Sequence, residues 1–285
     1  MEYQNIDIST WTQVGEGGNG KTYVHPDHPD ILLKVNKPPF CEESYVKQEL
    51  DAANHVFELG IPSPRMYDIV RVGDGFGQLV ELIKGKKSLS RICADDPSCI
   101  GEAASMLAEQ GKRLHTTPCN TEFFPNAKEL ALKGLEKSDF VSDEDRNKIK
   151  KFIQSLGDET TCVHGDFQMG NLVVSGDGKP YWIDLGRFCY GSSMFDMGHL
   201  FMLCFVYSKF PQALELVHMS EEQLHIFWDK FAMAYTGDAD HVAFDALAGK
   251  FAPLDICIRT IWAPPSEALK NLFTNLIHSL VEKFY

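Results

Sequence analysis

The sequence predicts an α+β protein in two lobes: a small N-terminal antiparallel sheet with one helix, and a larger, mostly helical C-terminal part. Three observations lead there. Residues 1–83 hold short β-prone runs broken by glycine and proline, with a single stretch of helical period. From residue 84 onward, apolar residues fall at helical spacing and helix caps recur. One strand-like island, residues 161–185, interrupts that helical half. At roughly 150 residues per domain, 285 residues suit two domains or one domain of two lobes, here 1–83 and 84–285.

The elements follow in order. Residues 11–14 form a strand that runs into the glycine-rich GEGGNG at 15–20, and residues 21–24 lead out as a second. The prolines of HPDHPD (25–30) make a turn or loop, and ILLKVN (31–36) is a third strand. Tyr45, Val46, Leu50, Ala53, Val56 and Phe57 then recur at helical spacing within residues 41–59, and Gly60, Pro62 and Pro64 stop that helix. Residues 65–72 and 78–83 are apolar runs on either side of GDGFG (73–77), a hairpin. In the second part, Ala103, Met106, Leu107 and Leu114 stripe a helix over 101–115. Ser142 caps another that runs through Leu156 and ends at Gly157. Ser220 and Gln223 form a capping box ahead of a helix through Tyr235, and residues 266–285 are a last helix.

The composition, 44% hydrophobic and 24% charged, excludes disordered, collagenous and coiled-coil classes. A net charge of −13 argues against a nucleic-acid backbone binder and a polybasic membrane patch. The eight cysteines include no C-x-x-C pair and read as reduced thiols. The polar, acidic N-terminus is no signal peptide, and the longest strongly apolar stretch, 200–207, is too short to span a bilayer. The expectation is a cytoplasmic protein with neither nucleic-acid nor membrane partners.

GEGGNGKT (15–22) satisfies two patterns at once. G-x-x-x-x-G-K-[ST], ending in Lys21 and Thr22, is the phosphate cradle of a P-loop nucleotidase; G-x-G-x-x-G, with Gly15, Gly17 and Gly20, is a glycine flap. A P-loop needs a buried strand before it and a helix after it, whose N-terminus meets the anion. Here ISTWTQV upstream is largely polar, and TYVHPDHP downstream is β-prone and then broken by proline. A glycine loop between two strands is instead a hairpin flap over phosphates, as in kinase-type sites. Lys34 strengthens that choice. Strand alternation puts it on the face opposite Ile31, Leu33 and Val35. A lysine in so apolar a strand is either an edge residue with a solvated tip or a buried cation with a partner. Glu49, at the border of the next helix's apolar stripe, offers that partner. Alone it would read as a solvated charge that Glu42 or Glu43 could replace.

The chemistry concentrates in TCVHGDFQMGNLVVSGDGKPYWIDLGR (161–187). Residues 172–174 and 181–183 are short strands around SGDGKP, and a register with Val174 facing Tyr181 would put Asn171 beside Asp184. That oxygen pair suits a hard cation such as Mg2+, which keeps several waters and borrows phosphate oxygens. Asp166, five residues before Asn171, would orient an attacking hydroxyl and accept its proton. As purely structural residues, Asp166 would be a turn aspartate, Asn171 a strand cap and Asp184 an exposed strand end. His164 reads as a satisfied core histidine.

HGDFQMGN (164–171) followed by IDLG (183–186) resembles the signature of the aminoglycoside phosphotransferase and choline kinase family, within the protein-kinase-like fold. The glycine flap, Lys34, Glu49 and a hinge near VELIKG (80–85) stand in the family's order, and the resemblance fades in the C-terminal helices. It implies a phosphotransferase that uses ATP and Mg2+ and moves the γ-phosphoryl to a hydroxyl of a small molecule. The acceptor would be an amino alcohol, a sugar or an aminoglycoside-like compound, cationic ones included. It implies Asp166 as catalytic base, Asn171 and Asp184 as Mg2+ ligands, and Lys34 with Glu49 as the pair that orients the α- and β-phosphates. Backbone near Glu81 and Ile83 would receive the adenine, Asp196 would brace the catalytic loop, and Leu114-His115 would be a helix end. HGD in place of HRD, and the lack of an A-P-E motif, count against a protein kinase. Two alternatives stand beside this: a non-catalytic nucleotide-binding sensor on the same scaffold, and the P-loop nucleotidase. For the acceptor, Asp238, Asp240, Asp245, Asp255 and Glu267 could attract an amine, although in so acidic a chain they read first as a solvated face. Trp182, Trp228, Trp262 and Tyr190 could cage a quaternary amine, although such aromatics read first as core.

Overall fold

Short β-prone runs joined by tight turns satisfy their backbone hydrogen bonds most simply by pairing with near neighbours. The computed structural model describes residues 3–16, 20–38 and 40–285, and these runs pair in that way. Strands β1 (Thr12–Glu16), β2 (Gly20–His25), β3 (His28–Asn36), β4 (Met66–Val72) and β5 (Gly75–Glu81) form one antiparallel sheet in the order β1-β2-β3-β5-β4. The 25–30 segment turns more tightly than its prolines suggested. His25 pairs with His28, and Pro29 sits at the exposed start of β3, where a missing N–H costs little.

Helix α1 (Glu43–Glu58) packs its apolar stripe on this sheet, where Val46 clusters with Ile69 and Phe76. Buried Gln78 on β5 donates from Nε2 to the Val46 carbonyl at 2.9 Å. Lys34 is its cross-strand partner on β3, and paired residues share a face, so both side chains turn toward α1.

The chain forms two compact units, Met1–Ser88 with Leu172–Gly186, and Leu89–Asn171 with Arg187–Tyr285. In the first, β6 (Lys87–Ser88), β8 (Leu172–Val174) and β9 (Pro180–Trp182) add a small sheet in the order β6-β8-β9. Its register is Val173 opposite Tyr181 and Val174 opposite Pro180, one position off the simple hairpin expected. The turn is tighter by one residue because the Ser175 amide donates to the Lys179 carbonyl at 2.9 Å.

The second unit is helical apart from a two-stranded pair, β7 (Cys162–Val163) and β10 (Cys189–Tyr190). Its helices are α2 (Leu89–Asp95), α3 (Ile100–Thr116), α4 (Ala127–Lys137), α5 (Asp143–Ser155), α6 (Met194–Phe201), α7 (Pro211–Val217), α8 (Glu221–Thr236), α9 (Val242–Arg259) and α10 (Glu267–Phe284). The caps expected at Ser142 and Ser220 form, Ser220 with Gln223 makes the reciprocal box, and Ser266 caps α10 as well. Helix α9 offers no stripe to find. Residues 248, 249 and 251–257 are all buried, and Pro253 stands inside it. No helix among the described residues is long and apolar enough to cross a membrane.

Helix α4 lies so close to α9 that a Cβ on Gly134 would come within 2.4 Å of the Cys257 carbonyl oxygen. Gly134→Ala should therefore lower unfolding stability by about 1–3 kcal/mol, seen as a lower urea midpoint. Gly101→Ala on α3 meets open space, and its midpoint should hold or rise.

Candidate active site

In the first unit the site begins with a half-buried cation. Lys34 donates from Nζ to Glu49 Oε1 at 2.5 Å and to Asp184 Oδ1 at 2.9 Å. Burial alone would lower the lysine pKa, but the charges of Asp184 and Glu49 outweigh it and hold the ammonium well above its usual range. Asp184 follows β9 with φ +58°, in the left-handed region that aspartate tolerates better than most residues. Strained backbone of this kind is kept where a side chain must be aimed. The pairing expected between Lys34 and Glu49 is present, and Asp184 joins it.

The glycine segment is a β-hairpin: Gly15 lies in β1 and Gly20 opens β2, while Gly17 falls outside the described residues. Lys21 and Thr22 sit in a strand, not at a helix N-terminus, which removes the P-loop nucleotidase. At the end of β5, the Glu81 amide donates to the Arg65 carbonyl at 2.8 Å and the Leu82 amide to Asp30 at 2.9 Å. The Ile83 amide donates to no acceptor among the described residues.

In the second unit the loop 164–171 is held by Asp196, the third residue of α6, which is fully buried. Its Oδ2 accepts from the His164 amide at 2.7 Å and faces His115 Nε2 at 2.9 Å, and its Oδ1 accepts from the Gly165 amide at 2.8 Å. Gly165 has φ +77°, and a Cβ there would lie 2.1 Å from the Arg187 carbonyl oxygen, so no other residue fits. His164 is fully buried, and its Nδ1 accepts from the Asp166 amide at 3.3 Å, the structural role expected of it.

Asp166 is surrounded by donors. Asn171 Nδ2 donates to the Asp166 carbonyl at 2.8 Å and to Oδ2 at 3.0 Å. On Oδ1 stand Arg259 Nη2 at 3.2 Å, His199 Nε2 at 3.2 Å and Arg187 Nη1 at 3.6 Å. Burial would raise the carboxyl pKa, but the hydrogen bond and charge of His199, then the charges of Arg259 and Arg187, hold it well below its usual range. Asp255 lies beneath. It accepts from Arg259 Nε at 2.9 Å and from Tyr207 Oη at 3.1 Å, and faces His199 Nδ1 at 3.0 Å.

A half-buried lysine paired to a helix glutamate and an HGD loop tied down by a helix aspartate agree with the family match. The family model of the APH phosphotransferase enzymes matches residues 10–217. The chain belongs to this family. Among solved structures, APH(4)-Ia in its ternary complex with AMP-PNP and hygromycin B aligns with a TM-score of 0.62 at 11% identity, covering 96% of this chain and 94% of that one. ADP-bound APH(2'')-Ib aligns at 0.57 and 20% identity, covering 96% and 94%. APH(3'')-Id from Streptomyces rimosus ATCC10970, with ADP and streptomycin, aligns at 0.52 and 19%, covering 86% and 94%. At these identities the likeness concerns the fold, the α+β protein-kinase-like fold of the APH phosphotransferases. No curated protein matches the chain.

The APH signature leaves out His199, Arg187 and Arg259, which stand against Asp166, and Asp255, which lies beneath them. Two signals were available: Asp196 and His199 stand three apart on one helix, and Asp255 and Arg259 four apart on another, spacings that put each pair on one face. Asp255 is thus engaged internally and does not face solvent. Asp245 accepts from Trp228 Nε1 at 2.9 Å, and Glu267 pairs with Lys270 at 3.0 Å. Trp182 and Trp228 are core residues, and the Arg187 guanidinium lies 5.5 Å over the Trp262 ring.

The pKa of Asp255 is depressed by Arg259 and His199 against the opposing effect of burial, so its stabilisation is present above the unfolded carboxyl value and lost as pH falls through the folded one. Asp255→Asn should cost about 3 kcal/mol at neutral pH by taking from Arg259 the carboxylate its Nε pairs with. Urea titrations at stepped pH should show that deficit narrowing below about pH 4.

Proposed function

We propose that the protein is an ATP- and Mg2+-dependent kinase that phosphorylates a hydroxyl of a small molecule. The observation that carries this is Lys34, paired at once with the α1 carboxylate and the aspartate of IDLG, in a chain of the APH phosphotransferase family. Lys34 binds α- and β-phosphate oxygens, with Glu49 fixing its ammonium. The glycine hairpin, with Gly15 and Gly20 in its strands, covers the phosphates, and backbone at Glu81 and Ile83 takes the adenine; the unspent Ile83 amide suits that role.

Asn171 and Asp184 would hold the metal. Asn171 spends its Nδ2 on Asp166, and nothing among the described residues donates to its Oδ1, which leaves an amide oxygen and a carboxylate, a set a hard cation prefers. A bound Mg2+ supplies neutralisation of phosphate charge.

Asp166 orients the acceptor hydroxyl through Oδ1 or Oδ2. As the new O–P bond forms and the bond to the ADP leaving oxygen breaks, the hydroxyl proton passes to the Asp166 carboxylate. So acidic an aspartate is a weak base. That suits a loose transition state, in which the hydroxyl becomes acidic only late.

Asp166→Asn should lower kcat by about 10²–10⁴ while nucleotide affinity, measured calorimetrically, stays near wild type. Wild-type turnover in that variant would defeat the assignment. Tight Mg·ATP binding with no alcohol phosphorylated would favour the non-catalytic sensor. Lys34→Met should weaken ATP binding by about 10–100-fold, the loss of a charge-assisted contact worth about 1.5–3 kcal/mol.

A further inference from the structure

The surroundings of Asp166 carry information about the acceptor. Its Oδ1 faces two guanidiniums and an imidazole, and among the described residues the other carboxylate paired with these groups, Asp255, is 8% exposed and held beneath by Arg259, His199 and Tyr207. Two carboxylates therefore meet two arginines, and His199 adds either nothing or a further positive charge. An ammonium group approaching this cluster finds no net negative charge to receive it.

The arginines, by contrast, have capacity left. Arg259 spends Nε on Asp255 and Nη2 on Asp166 and His199, and its Nη1 donates to no acceptor among the described residues. Arg187 comes no nearer to Asp166 than 3.6 Å, beyond a good hydrogen bond, and is held by the ring of Trp262. Their side chains remain 20% and 31% exposed, for Arg187 and Arg259 respectively. A planar guanidinium with free N–H groups matches the two oxygens of a carboxylate or the face of a phosphate.

We infer that the acceptor carries a carboxylate or phosphate close to the hydroxyl that receives the phosphoryl group, and that Arg187 and Arg259 hold that anion beside Asp166. The inference rests on the kinase reading above and narrows its substrate class. It gives the arginines two tasks: to keep Asp166 ionised, and to orient the hydroxyl by gripping its neighbour.

The test is a labelled-ATP screen of matched acceptors: hydroxy acids and sugar acids, sugar phosphates, their neutral polyol parents, amino alcohols and aminoglycosides. Anionic acceptors should exceed their neutral parents at least tenfold in kcat/KM, and the better of the carboxylate and phosphate arms identifies the group. Arg187→Gln should raise KM for the anionic acceptor about tenfold while KM for ATP holds, the pattern of a lost ground-state contact. Arg187→Lys, which keeps the charge but not the fork, should fall between. Highest kcat/KM for an amino alcohol or aminoglycoside would overturn the inference and leave the kinase standing, as would an unchanged acceptor KM in Arg187→Gln. Phosphorylation of no acceptor of any charge would overturn both.

Discussion

A carboxylate removed from water must be met by donors or it will not stay charged, and Asp196 is met by three. Two are backbone amides of the HGD segment and the third is the ring of His115 on α3. One fully buried side chain thus ties α6, α3 and the 164–171 loop together. The loop has no regular secondary structure of its own to fix Asp166. The position of that side chain is inherited from Asp196, from the left-handed turn at Gly165 and from the amide of Asn171. The same helix presents His199 one turn further on, so the residue that fixes the loop and one that touches its aspartate move as a unit.

Both units handle their charged groups in the same way. In one, a half-buried lysine stands between two carboxylates; in the other, a half-buried aspartate stands among two arginines and a histidine. Each central group is kept ionised by partners of opposite charge that outnumber it. Such groups are firmly held, and the hydrogen-bonding capacity their partners keep is open to a ligand of matching shape. Differences in ligand preference then come from whichever partner has hydrogen-bonding capacity to spare.

Much of this was legible in the sequence, for local reasons. The glycine hairpin, α1, the Lys34–Glu49 pair and the caps at Ser142 and Ser220 follow from strand alternation, helical period or a motif a few residues long, while the bracing aspartate came from the family resemblance. What was not legible came from elements whose signal is weak for physical reasons. Helix α9 is buried on nearly every side and contains Pro253, so neither amphipathic period nor composition marks it as a helix. It nevertheless delivers Asp255 and Arg259. The β8–β9 register depends on one backbone hydrogen bond inside the SGDGKP turn, and a one-residue slip there is invisible to apolar patterning. The tight 25–28 turn was obscured by prolines that the edge of a sheet accommodates.

The first unit is discontinuous: strand β6 at 87–88 finds its partner in β8 at 172–174, and the Trp182 amide on β9 donates to the Pro62 carbonyl at 2.8 Å. A ribosome releasing the chain in order therefore delivers the five-stranded sheet long before the hairpin that completes its unit. Until about a hundred further residues have emerged, Lys34 has Glu49 but lacks its second carboxylate. A gene cut after residue 88 would accordingly yield a fragment with an unsatisfied sheet edge and half of its lysine's counter-charge, so the two halves are poor candidates for separate expression or domain exchange.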